Sequence, residues 1–328
     1  MGCRLARTLA PRDVSGMPNV APPEPELEST AEPGADALLH ARNAADGNDK
    51  RRYVQGMFSA IAPRYDLLNH VLSMNVDKAW RRKAISALRG PGPNRGTYLD
   101  LCAGTLDVGA ALTRTPGFDG FVIGADFAFP MLQHGMGKAP RSVLTPVTAD
   151  ALALPFANQS LDGCIVAFGI RNVASLDAGL AEVFRVLKPG ARFVILEFST
   201  PPRAVVRSLY HAYFHYVLPA IGRLVSGHTS AYTYLPLSVS KFPAGPELVV
   251  KLQQAGFADV SWQSLTLGVA AIHVGSVPKG AAANPPRAHT GRPSIAPANA
   301  AHPNITSPNT VVPTTSAAPH SSDRPQSA

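Results

Sequence analysis

Leu99-Asp100-Leu101-Cys102-Ala103-Gly104-Thr105-Leu106-Asp107 decides the fold of this chain. An apolar run ends in small residues and a glycine, and a helical stretch, Asp107–Thr113, follows at once. A buried strand passes into a helix in this way. Gly104 lets the backbone approach a ligand closely, and the helix start offers free N–H groups. The same unit recurs outward from that point. Thr97–Leu101, Phe121–Asp126, Val143–Thr148, Gly163–Phe168 and Arg192–Phe198 read as strands. Helical stretches lie between most of them: Asp107–Thr113, Pro130–Lys138 and Leu176–Leu187, the last expected to stop at Pro189-Gly190. Strand–helix alternation at this spacing predicts parallel strands with right-handed crossovers, hence a Rossmann-like doubly wound α/β sheet. Residues 247–255 form another helix stopped by Gly256, after which Val260–Thr266 and Val269–Val274 read as an antiparallel pair joined across Leu267-Gly268.

Upstream of the alternation, residues 52–90 are helical in pattern. Met57, Phe58, Ile61 and then Leu67, Leu68, Val71, Leu72 recur at helix spacing, and Trp80, Ile85 and Leu88 mark a further helix from about Asp77. The ends differ. Residues 278–328 hold ten prolines among Ala, Ser, Thr and Asn, and residues 1–46 carry the run Pro22-Pro23-Glu24-Pro25-Glu26. Neither can bury enough apolar surface to offset its ordering entropy. One folded domain, 47–277, is therefore expected between two disordered tails.

The formal charge of +8 is uneven: residues 1–46 have 4 basic and 7 acidic side chains, and residues 278–328 have 4 and 1. The domain between keeps 22 basic and 14 acidic groups, scattered rather than clustered. Nucleic-acid binding finds no basic–aromatic stripe to support it. Three cysteines without metal-type spacing predict a reduced, cytoplasmic setting and no metal site.

Ligands of an open α/β sheet bind at the carboxyl ends of its strands, where strand order reverses. Gly104 marks the end of the first strand. Asp126, 22 residues later, ends the second, where a carboxylate can accept both hydroxyls of a ribose. Asp150-Ala151 follows the third, suited to an adenine edge, with Leu154-Pro155-Phe156 to cover its faces. Three strand ends in this order predict a nucleoside pocket. Arg171 and Asn172 follow the fourth strand, where a second substrate should lie.

Three further stretches carry a resemblance. Tyr65-Asp66-Leu67-Leu68-Asn69 with Ser73 and Trp80, Phe168-Gly169-Ile170-Arg171-Asn172-Val173, and Arg185-Val186-Leu187-Lys188-Pro189-Gly190 running on to Leu196-Glu197-Phe198-Ser199 are similar to the UbiE-type C-methyltransferases of menaquinone and ubiquinone biosynthesis. Tyr232, Tyr234, Leu235, Ser238, Phe242 and Pro243 extend the likeness, which covers residues 53–275. It implies the class I S-adenosylmethionine-dependent methyltransferase fold, whose sheet also ends in an antiparallel pair. It implies S-adenosylmethionine at Thr105, Asp126, Asp150 and Ala151, with Gly104 and Asp100 in the same strand-end loop. The implied reaction is C-methylation of a reduced prenylated quinol, demethylmenaquinol first and a 2-methoxy-6-polyprenyl-1,4-benzoquinol second. A non-catalytic scaffold of a quinone-synthesis complex is the rival from another class. Arg171 is expected to stabilise a quinolate oxygen, with Asn172 beside it and Tyr65 or Tyr232 orienting the ring.

This chain departs from the family pattern at Leu68, Asp77, Ala167 and Leu106. Leu106 replaces a glycine and predicts either a negative φ or a displaced loop. Residues 208–222, rich in aromatics and free of Asp, Glu, Lys and Arg, are flanked by Arg203, Arg207 and Arg223. They read as a core or lid helix, or as a greasy wall whose arginines touch anionic headgroups at the inner face of the membrane.

Overall fold

A computed structural model describes residues 47–64, 75–89, 94–217 and 230–281. The chain divides into residues 1–288, which hold every described residue, and residues 289–328. The expected tails 1–46 and 278–328 therefore lie outside the described residues, except 278–281. So do Tyr65 and the Tyr232 side chain.

Seven strands form one sheet in the order β3-β2-β1-β4-β5-β7-β6. These are β1 (Asn94–Leu101), β2 (Phe118–Asp126), β3 (Leu144–Thr148), β4 (Leu161–Ala167), β5 (Leu187–Phe198), β6 (Ala258–Leu265) and β7 (Ala270–Ser276). β1 to β5 pair in parallel, while β7 runs antiparallel between β5 and β6. The order reverses between β1 and β4, so the carboxyl ends of these two strands open a crevice.

Helices cover both faces, as a parallel sheet requires. Along β1 the pleat sends Leu99 and Leu101 into one core layer and Tyr98 into the other. The first layer packs against α5 (Leu176–Val186) and α8 (Gly245–Gln254) through Leu180, Val183, Leu248 and Leu252. The second packs against α2 (Val76–Arg89) and α3 (Asp107–Thr113) through Trp80, Ile85, Leu88 and Leu112. Ser175 caps α5, its hydroxyl accepting from the Ala178 N–H. The Trp80 indole N–H donates to Thr266 Oγ1 at 2.8 Å and so ties α2 to the far edge of the sheet. α1 (Gly47–Ile61), α4 (Phe129–Gly135) and α7 (Ser230–Lys241) contribute residues at the crevice end, and α6 (Ala204–Ala212) follows β5 in the chain.

Three sequence expectations change. Leu187 is strand, not helix: α5 gives way to β5 without a loop, and Pro189-Gly190 sits in a register shift of β5, with Gly190 at φ +84°. Phe168 lies outside β4 because its φ of +60° turns the chain out of the extended region. Of residues 208–222, 218–222 lie outside the described residues, and α6, which takes in 208–212, contains no buried residue and so is not a core helix.

Leu106 is the fourth and most instructive. Its φ is not negative; its φ of +63° and ψ of +19° are the left-handed values a glycine would take. For an L-residue that costs about 1–2 kcal/mol. The side chain offsets it by burial, being 2 % exposed, and a buried leucine is worth about 2–5 kcal/mol relative to truncation. Two glycines make the room. A Cβ at Gly135 would stand 2.8 Å from Leu106 Cγ, and one at Gly124 would collide with Leu106 Cδ2. Leu106 can hold this left-handed conformation with its side chain buried because these neighbours are small.

Candidate active site

The β1–α3 turn alternates left-handed residues: Cys102, Gly104 and Leu106 all have positive φ. Such alternation curls the backbone so that successive N–H groups face one side. The Gly104 N–H donates to Asp126 Oδ2 at 2.9 Å, and the Ala128 N–H donates to Asp126 Oδ1 at 2.8 Å. Asp126 is 8 % exposed. Burial pushes its carboxyl above the usual range, against the pull of the Ala128, Gly104 and Phe127 N–H groups. A carboxylate has about four acceptor positions, so the backbone N–H groups leave acceptor capacity that a ligand can use.

A cavity of about 710 Å³, its open mouth included, lies over this turn. Gly104, Asp126, Asp150 and Ala151 line it, as do Phe168, Gly169 and Asn172. A Cβ at Gly169 would collide with Cys102 Cβ, so the β1 and β4 end loops meet only because 169 is glycine. Asp150 caps its own turn through the Leu152 N–H at 3.0 Å and pairs at the rim with Arg51 at 3.2 Å.

Asp100 and Thr105 are not among the cavity-lining residues. Asp100 is 1 % exposed and accepts the Gly109 N–H at 2.7 Å, holding the α3 start behind the turn. Burial pushes its carboxyl up to about 7. Thr105 is buried. Asp77, a departure from the family pattern, is also buried and lies 3.5 Å from Arg81, which reaches on to Asp107 at 2.7 Å.

Arg171 borders a second cavity, with Lys50, Tyr234, Ser238 and Lys241. Its Nη1 donates to Glu197 Oε1 at 2.6 Å, and the two side chains are 7 % and 2 % exposed. Nη1 also reaches the Phe168 carbonyl at 2.5 Å, and Nε reaches Ser238 Oγ at 3.3 Å. The arginine charge is thus matched by a buried strand carboxylate. Glu197 and Tyr234 belong to motif stretches but drew no role from sequence. The signal for Glu197 was a lone carboxylate closing the apolar run Phe193-Val194-Ile195-Leu196, since a buried charge must have a partner. Lys50 offered no signal. Among the described residues no group of three or more His, Cys, Asp or Glu could hold a metal ion.

A doubly wound parallel sheet ending in an antiparallel pair, with carboxylates at its switch point, is the class I S-adenosylmethionine-dependent methyltransferase fold. Residues 45–277 match the ubiE/COQ5 methyltransferase family, and the chain belongs to it. It is 48 % identical over 225 residues to the demethylmenaquinone methyltransferase of Thermus thermophilus, covering 68 % of this chain and 100 % of that one. It is 43 % identical over 233 residues to the Deinococcus radiodurans protein of the same name, covering 70 % and 95 %. Identity to the ubiquinone/menaquinone biosynthesis C-methyltransferase UbiE of Geotalea daltonii is 43 % over 232 residues, covering 69 % and 97 %. The [4+2]-cyclase SpnF shares the fold at a TM-score of 0.51 and 13 % identity, covering 69 % and 96 %.

Proposed function

We propose that this protein uses S-adenosylmethionine to methylate a ring carbon of a reduced prenylated quinol, with demethylmenaquinol as the acceptor. The observation that carries the cofactor half is the buried Asp126 carboxylate facing the Gly104 turn inside the cavity. In this reading the ribose hydroxyls donate to Asp126, and Asp150 with Ala151 borders the adenine. Asp100 and Thr105 support the turn from behind. The cluster of carboxylates suits a ligand that carries a sulfonium and an ammonium. The quinol half is supported by the two relatives named demethylmenaquinone methyltransferase.

Bound there, S-adenosylmethionine supplies an activated methyl group, so the protein's task is alignment and charge stabilisation. A carbon–carbon bond forms as the sulfur–methyl bond breaks, the sulfur leaves as a neutral thioether, and the ring gives up one proton in net. In this reading Asn172, which lines the cavity, donates an amide N–H to the acceptor's developing oxyanion. Arg171, neutralised by Glu197, is assigned to holding the 168–172 loop. Given methyl-labelled cofactor and demethylmenaquinol, the protein is expected to produce labelled menaquinol. A quinol fraction without label would remove the reading.

A lipid-borne acceptor also accounts for α6. Val205 and Leu209, one turn apart, are 74 % and 68 % exposed, and Tyr216 beyond them is 71 % exposed. No Asp or Glu occurs from Phe198 to Pro246, a stretch that includes Arg203 and Arg207. We infer that this face rests on an anionic membrane surface, where each basic side chain contributes about 1 kcal/mol. No helix among the described residues is long and apolar enough to cross a membrane. Leu209→Glu is expected to lower binding to phosphatidylglycerol vesicles about tenfold or more, from the leucine transfer energy alone. Wild-type protein that fails to sediment with such vesicles at low salt would overturn the inference.

A further inference from the structure

We infer that Tyr234 and Lys50 are positioning residues that fix the Asn172 side chain with its amide N–H aimed into the cofactor cavity. The inference rests on the quinol reading above and adds how the oxyanion donor is oriented.

Asn172 ends a short 3₁₀ turn, Ile170–Asn172, and is 8 % exposed. The Tyr234 hydroxyl donates to Asn172 Oδ1 at 3.1 Å in a buried setting. Burial pushes the Tyr234 phenol up to about 12, with Arg171 acting against it, so the hydroxyl keeps its proton at neutral pH. The nearby guanidinium favours the phenol oxygen toward Arg171 and the proton away from it, toward Asn172. With Oδ1 so occupied, the two hydrogens on Nδ2 are left for the other side of the amide. Asn172 lines the cavity shared with Asp126 and Gly104, which is where those hydrogens are inferred to point.

The backbone is held as tightly. Lys50 Nζ donates to the Arg171 carbonyl at 3.2 Å and the Val173 carbonyl at 2.8 Å, one on either side of Asn172. Ser238, one helical turn after Tyr234 on α7, accepts from Arg171 Nε. Val54 and Met57 of α1 pack with Tyr234, and Tyr53 lies 5.7 Å from it ring to ring. Two helices outside the sheet thus converge on one asparagine. A turn with no regular partner of its own needs such clamps to hold a donor within the fraction of an ångström that transition-state stabilisation demands.

The test is a double-mutant cycle on methyl transfer to demethylmenaquinol. Tyr234→Phe keeps the ring and removes only the hydroxyl. It is expected to lower kcat about tenfold, with the S-adenosylmethionine Kd within about twofold, since Tyr234 is absent from the cavity lining. Asn172→Ala is expected to lower kcat further, and Tyr234→Phe combined with Asn172→Ala no further than Asn172→Ala alone. Lys50→Met should repeat both results and serves if Tyr234→Phe loses thermal stability. Additive losses in the cycle, or unchanged kcat in both single variants, would overturn the inference. Inactivity of the wild type toward any quinol would instead remove the functional reading.

Discussion

Asp126→Ala is expected to abolish S-adenosylmethionine binding, with the affinity falling by a hundredfold or more. Hydrogen bonds to a charged acceptor are worth about 1.5–3 kcal/mol each. Losing those from two ribose hydroxyls exceeds the roughly 2.7 kcal/mol that a hundredfold represents. The variant also strands the Gly104 and Ala128 N–H groups, which now donate to the carboxylate. Asp126→Asn isolates the charge, because it keeps an acceptor for one of them, and its affinity should fall by about tenfold or more. Calorimetric titration of the cofactor, with thermal melting as a check on folding, measures both. Asp126→Asn binding within threefold of wild type would refute the ribose assignment.

The Arg171–Glu197 pair predicts an asymmetry in stability. Removing one member of a buried ion pair costs about 3–5 kcal/mol when the other must stay charged. Arg171 must, since a guanidinium does not give up its proton. Glu197→Gln should therefore cost about that much, lowering Tm by roughly 10 °C. Glu197 has another course. Burial already pushes its carboxyl up, against the pull of Arg171. In Arg171→Met it can take up a proton and become neutral, so the loss should be smaller.

That loss should also depend on pH in a fixed direction. A carboxyl raised in the folded state contributes stability that is complete below its unfolded pKa and is lost as pH rises through the folded value. Arg171→Met should thus recover stability relative to wild type on acidification from pH 8 to pH 5, while the Glu197→Gln deficit, with no carboxyl left to protonate, should not shrink. Melting curves across that range decide it. Equal deficits in the two variants, both flat with pH, would contradict the account.

The parallel order of β1 to β5 was legible because strand and helix periods differ, and because fully buried strands such as Cys164-Ile165-Val166 are apolar on both faces. The antiparallel close was legible from two apolar runs separated by Leu267-Gly268. Legibility failed wherever the outcome depended on a neighbour distant in sequence. Whether Leu106 could keep a left-handed backbone depended on the small residues at Gly124 and Gly135. Pro189-Gly190 resembles a helix stop, yet pairing of Leu161 with Leu187 draws the chain straight into β5.

The site divides along the same line. Gly104, Asp126, Asp150 and Ala151 were visible because each sits at a strand end, and the fold brings all four to one cavity. The carboxylate that pairs with Arg171 was not legible because Glu197 is 26 residues away in the chain, and only the sheet brings the two to 2.6 Å. The clamp from Lys50 spans 121 residues and had no local signature.

Carbon methylation of a reduced quinol is most directly tested by offering the protein methyl-labelled S-adenosylmethionine with three acceptors in turn. These are demethylmenaquinol, its oxidised quinone, and a 2-methoxy-6-polyprenyl-1,4-benzoquinol, each resolved by mass spectrometry. The account predicts label on a ring carbon of the demethylmenaquinol product and none on the oxidised quinone, whose carbonyls cannot lose a proton to charge the ring. Label on the benzoquinol alone would transfer the reaction to the second acceptor. No ring label in any product, from protein that binds the cofactor, would contradict the account.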